Sequence, residues 1–151
     1  MNAMNADDLR RDWVARVMQG PGMELLAVQT LRNSIMAATV MASTSALGLM
    51  GLLSLGHLRG VTLADAGSRP AQLLLLLPLL LLALCVVEFS QSVRIYHRCS
   101  YLVALTGTAE SRVEGVRDLA VRQLLLASRL YRAGWWTFYL AMAAGAWAVL
   151  A

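Results

Sequence analysis

The run AQLLLLLPLLLLALCVV, residues 71–87, contains one polar residue, Gln72. A half-buried helix needs a polar face and a half-buried strand alternates, so this run fits neither. Extended to residue 93 it reaches the length that crosses roughly 30 Å of hydrocarbon. A second block of that kind, SIMAATVMASTSALGLMGLLSL, occupies residues 34–55, and a third, GWWTFYLAMAAGAWAVLA, residues 134–151. Long blocks rather than short alternating runs predict helices, not a β-barrel. The whole chain agrees: 58% of residues are hydrophobic and 15% charged, against roughly a quarter charged in soluble domains. The expectation is an all-α, polytopic membrane protein of one domain, residues 1–151, with three transmembrane helices.

The segments between the blocks complete the plan. Residues 7–19 place Leu9, Trp13 and Val17 on one face, with Asp7 and Asp8 at the positive end of the dipole, which predicts a helix lying on the membrane surface. Gly20-Pro21-Gly22 ends it. Within the first span Ala38, Ala42 and Ala46 recur every four residues, with Thr44, Gly48 and Gly51 on a neighbouring stripe, a pattern that permits close helix packing. Residues 56–70 read as a loop, and Pro78 in the second span is kinked or absorbed by packing. A polar helix continues to about Leu105, where TGTAES breaks it. Residues 110–132 form an amphipathic helix with Val113, Val116, Ala120, Leu124, Ala127 and Tyr131 on one face, and Gly134 marks a bend before the last span.

The 13 basic residues, giving a net charge of +4, are all arginine. They cluster beside the apolar blocks, which suits anionic lipid headgroups and not nucleic acid. Arg10, Arg11, Arg16, Arg32, Arg94, Arg98, Arg112, Arg117, Arg122, Arg129 and Arg132 fall on one side of this plan and only Arg59 and Arg69 on the other. The positive-inside rule then sets the N-terminus in the cytoplasm and the C-terminus outside a cell inner or plasma membrane. The N-terminal MNAMNADDLRRDW lacks the apolar core of a cleavable signal.

Chemistry is expected where the second span turns polar. Glu88 lies six residues before Arg94, about 9 Å deeper along the helix, and a carboxylate in hydrocarbon faces a bundle interior or a wet cavity. Arg32 and Asn33 enter the first span on the same side, and Tyr139 lies just inside the third. With Gln91, Arg94 and His97 these residues form a candidate polar layer. On the second helix Glu88, Gln91, Ser92 and Cys99 share one face, and Ser90, Arg94, His97 and Tyr101 another. The plainer alternative is that the arginines reach headgroups, Gln91 and Ser92 join helices, and Glu88 is a strut paired with Arg32 or Arg94. Cys85 and Cys99 are about 21 Å apart on one helix and cannot pair within the chain. His57 and His97 fall on opposite sides of the membrane and cannot share a metal, and no phosphate-cradling loop, serine elbow or carboxylate pair suggests an enzyme. No cofactor is expected.

LRNSIMAATVMAST (31–44), FSQSVRIYHRCSYL (89–102) and ASRLYRAGWWTFYLAMAAGAW (127–147) together resemble the membrane-protein family known as domain of unknown function 599. The resemblance runs from Trp13 onward and implies an all-helical integral membrane protein. Its motif positions map to Arg32, Asn33, Ser34, Met36, Ser90, Gln91, Arg94, Tyr96, His97, Phe138 and Tyr139. Family members usually carry an additional membrane helix before the stretch equivalent to Trp13-Val14, an arginine where Trp136 stands and a proline near Ala143.

Two functions compete on these residues. One is a homo-oligomeric channel or carrier for a small ion or solute, since three short helices rarely enclose a path alone. The other is a non-catalytic scaffold or accessory subunit of a larger membrane complex. A membrane enzyme acting on lipid headgroups ranks third.

Overall fold

A computed structural model describes residues 5–19, 22–58, 70–104 and 110–150. They form four helices: α1 (Ala6–Gln19), α2 (Glu24–Leu58), α3 (Pro70–Ala104) and α4 (Glu110–Leu150). Among the described residues there is no strand, so the fold is all-α. The loop expected at 56–70 and the break expected at TGTAES fall largely on residues 59–69 and 105–109, outside the described residues. Two stretches, Leu25–His57 and Leu75–Ala104, are long and apolar enough to cross a membrane. The third expected crossing, 134–151, is the C-terminal part of α4, whose N-terminal half carries the charges.

Asn5 starts α1: its carbonyl accepts from the N–H groups of Asp8 at 2.9 Å and Leu9 at 3.1 Å, and its side chain accepts from Asp7 N–H at 3.5 Å. Asp7 and Asp8 in the first turn and Arg16 in the last complement the helix dipole. Gly22, at φ 87°, takes the left-handed conformation between α1 and α2. In the apolar α2, Thr30, Ser34, Thr44 and Ser45 each return their hydroxyl to the carbonyl four residues back, so they donate within their own helix.

The chain divides into two compact units. The first takes residues up to Ala38 and Gln91–Leu130, the second Thr39–Ser90 and Tyr131 onward. In the first, Val14 and Val17 of α1 join Ala27 and Leu31 of α2, Ile95, Cys99 and Val103 of α3, and Ala120 and Leu124 of α4 in one core. The N-terminal helix is thus docked on protein through Val14 and Val17. Leu9, on the face the sequence favoured, is half exposed. The compact valines pass close to a neighbouring helix, where Trp13 fits only at the edge of the core, and their burial contributes roughly 1.5–3 kcal/mol each. Ala120, Leu124 and Ala127, on the predicted face of residues 110–132, are buried.

In the second unit α4 runs through Gly134 without a break, where the sequence suggested a bend. Gly134 is buried instead against Phe89 of α3: a Cβ there would stand 2.8 Å from Phe89 Cζ. The Phe89 ring meets Tyr131 edge-on at 5.6 Å. Pro78 also sits inside a continuous helix, fully buried, with Gly145 of α4 across from it.

The packing of α3 on α4 repeats every seven residues. Cys85 Sγ donates to Gly134 O at 3.7 Å, Ser92 Oγ to Ala127 O at 3.0 Å and Cys99 Sγ to Ala120 O at 3.7 Å. The first contact lies in the second unit and the other two in the first. On α4 the same register continues through Ala141 and Ala148, both buried. On α2, Leu31, Ala38 and Ser45 are buried at that spacing too. Small residues at these positions let the backbones of neighbouring helices approach closely. The four-residue alanine stripe is only partly inward, since Ala42 and Ala46 are half-buried.

Candidate functional site

Glu88 is half-buried on α3 of the second unit, and its Oε2 atom is enclosed without any hydrogen-bond partner. It takes part in no ion pair among the described residues. One turn earlier Cys85, fully buried, interacts with both Glu88 and the fully buried Ser45. The Cys85 thiol donates to Gly134 O and not to Glu88, and the Ser45 hydroxyl donates to Met41 O at 2.8 Å. A buried carboxyl oxygen in such a setting is left as an acceptor, which suits a hydrogen-bond donor or a cation.

The remaining residues of the expected polar layer are distributed as follows. Arg32, Asn33, Gln91, Arg94 and His97 belong to the first unit and are all exposed. Tyr139, in the second, is exposed, its ring 5.5 Å from Trp135 and 6.5 Å from Trp136. On α3, Ser92 and Cys99 are buried on the face the sequence groups with Glu88, while Gln91 on that face is exposed. The opposite face, with Ser90, Arg94, His97 and Tyr101, is exposed throughout. Among the described residues no three His, Cys, Asp or Glu side chains cluster closely enough to hold a metal ion.

Sequence reasoning missed a second place where polar groups gather, in the first unit. Leu9, Arg10, Asp12, Trp13 and Arg16 of α1 face Thr30, Leu31 and Ser34 of α2, with Tyr96 of α3 and Leu124 of α4, across a cavity of about 590 Å³. Asp7 anchors α1 beside it, accepting from Arg10 at 3.4 Å and from Arg129 of α4 at 3.3 Å. The i, i+3, i+4, i+7 spacing of Leu9, Asp12, Trp13 and Arg16 was the available signal. It pointed to a helix face without showing that protein lay opposite.

The second unit has an apolar groove of about 730 Å³ floored by Gly48, Gly51 and Gly145, with Leu82, Phe138 and Met142 on its walls. Thr44, Gly48 and Gly51, which the sequence placed on one stripe, line it together. Only 11% of the most apolar window of Leu25–His57 and 28% of that of Leu75–Ala104 are buried. Leu47, Met50, Leu80, Val87, Trp136 and Trp147 are among the large apolar side chains exposed.

No curated protein and no solved structure matches the chain. One family profile does, described as protein of unknown function, DUF599, over residues 2–150. That match takes in α1, the half-buried Glu88 and the whole of α4 together, and the chain belongs to the DUF599 family.

Proposed function

We propose that the protein is an integral membrane protein whose α2, α3 and C-terminal part of α4 cross the bilayer, and that it acts as a homo-oligomeric channel or carrier for a small cation bound at Glu88. Membrane placement is supported by helices that leave most of their apolar surface uncovered, an arrangement water disfavours and lipid accepts. The arginine asymmetry supports a cytoplasmic N-terminus.

The observation that carries the functional reading is Glu88 Oε2, buried and without a hydrogen-bond partner. Burying an unsatisfied carboxyl oxygen costs on the order of several kcal/mol, and intramembrane acids of this kind mark ion pathways. A strut would have its arginine beside it, and Glu88 takes part in no ion pair among the described residues.

Glu88→Gln separates the alternatives, because it keeps the shape of the side chain and removes the charge. In reconstituted vesicles the variant is expected to lose cation flux while its thermal unfolding in detergent stays within about 1 kcal/mol of wild type. A variant that unfolds much earlier with flux intact would establish the scaffold reading and remove this one.

A further inference from the structure

The cavity of the first unit is built differently from a surface that lipid tails only cover. Leu31 and Leu124, both buried, give it an apolar floor. Along one edge α1 supplies Asp12, the Trp13 indole and Arg16. Arg10 is engaged by the Ala6 carbonyl at 3.1 Å and by Asp7. The Thr30 and Ser34 hydroxyls donate to Leu26 O and Thr30 O, which leaves their lone pairs. Arg16 takes part in no ion pair among the described residues. The donors open to a guest are the Arg16 guanidinium, the Trp13 N–H and the Arg10 N–H groups other than those on Nη1. The acceptors are Asp12 and two hydroxyl oxygens.

Position narrows the guest further. Leu25–His57 is 33 residues long, about 50 Å, which exceeds a hydrocarbon core of roughly 30 Å by about 10 Å at each end. Thr30, Leu31 and Ser34 lie about 8–14 Å along it. In a bilayer this is the level at which headgroups and glycerol meet the acyl chains. A volume of about 590 Å³ is within the range of sites that hold one small molecule.

We infer that this cavity seats one anionic phospholipid by its phosphodiester. Arg16 and the Trp13 N–H donate to the phosphate oxygens, Asp12 accepts from a hydroxyl of the headgroup, and the first acyl methylenes lie on Leu31 and Leu124. Arginine suits this role because its planar donors match two phosphate oxygens at once. The carboxylate beside it selects a headgroup that carries its own donor. The site depends on the membrane placement proposed above and is independent of Glu88.

The test is native mass spectrometry of the whole protein released from detergent containing phosphatidylglycerol or, in parallel, phosphatidylcholine. Wild type is expected to retain one phosphatidylglycerol in preference to phosphatidylcholine. Arg16→Gln should weaken retention about tenfold, the scale of one charge-assisted hydrogen-bonded contact. Arg122→Gln removes the same charge from an exposed position on α4 outside the cavity and should leave retention unchanged. Trp13→Phe, which keeps an aromatic ring and removes the N–H, should give a smaller loss, and it decides the matter if circular dichroism shows Arg16→Gln unfolded. Equal losses in the two arginine variants would overturn the proposal in favour of diffuse charge attraction. Inorganic phosphate displacing the lipid at matched concentration would also overturn it, by assigning the pocket to a lone anion. Alkaline carbonate extraction of the same variants from membranes reports the membrane placement separately. Glu88→Gln should not alter lipid retention.

Discussion

Ser92 Oγ donates to the carbonyl of Ala127 across 3.0 Å, with both residues buried. It is the middle contact of three, flanked seven residues away by the thiols of Cys85 and Cys99 on the carbonyls of Gly134 and Ala120. A small donor on α3 facing Gly or Ala on α4 lets the two backbones come close, and each contact repeats the register of the last. Ser92→Ala is expected to cost about 1 kcal/mol, the net value of one hydrogen bond. Ser92→Leu has no room at the same seam and should cost more. Thermal unfolding in detergent, followed by circular dichroism, measures both. A leucine variant as stable as the alanine one would show that the seam is loose.

The approach of Gly134 to Phe89 gives the sharpest steric prediction. Phe89 is fully buried and held edge-on by Tyr131, so its ring has little freedom to withdraw from a Cβ at 2.8 Å. Gly134→Ala should destabilise by roughly 1–3 kcal/mol, although alanine is the better helix former. Gly115, also in α4, has nothing within 4 Å of such a Cβ, and Gly115→Ala should stabilise by up to about 1 kcal/mol. Opposite signs for one substitution in one helix are the expected result. Phe89→Leu in the Gly134→Ala background should recover part of the loss.

Two kinds of contact hold α1, and they differ in strength. Val14→Ala removes a fully buried side chain from the core and should cost about 1–3 kcal/mol. Asp7→Asn removes the pairs with Arg10 and Arg129, but the Arg129 side chain is 65% exposed, so the loss should be under about 1 kcal/mol and vanish at high salt. Hydrogen exchange of the α1 amides reads both. Protection should fall strongly in the valine variant and slightly in the aspartate variant.

The proposed orientation predicts which ends of the helices meet which solvent. With Cys85 and Cys99 replaced by serine, a cysteine at His57, exposed near the end of α2, should react with an impermeant maleimide applied to intact cells. A cysteine at Arg122, exposed on α4, should react only after the membrane is opened. The reverse pattern would invert the topology.

The sequence by itself determined an all-α chain, its two longest apolar helices and the membership of the family. Each follows from properties of contiguous residues: a leucine run such as 73–77 cannot belong to anything with a polar face. Which side of each helix turns inward was decided only by the tertiary structure. A helix apolar on every side, like most of α2, has no face that hydrophobicity can reveal. Small residues occur there every four positions, at Ala38, Ala42 and Ala46, and two of them, Ala38 and Ser45, also stand seven apart, with Leu31 seven before Ala38. Packing selected the seven-residue spacing, whose three positions on α2 are all buried, over the four-residue one, where Ala42 and Ala46 are only half-buried. The same cause explains Gly134, which as a local signal marks a bend and against Phe89 becomes the space that a ring fills. Glu88 was legible as a costly residue from its depth alone. That its Oε2 atom is enclosed without a hydrogen-bond partner was decided by the packing of the helices around it.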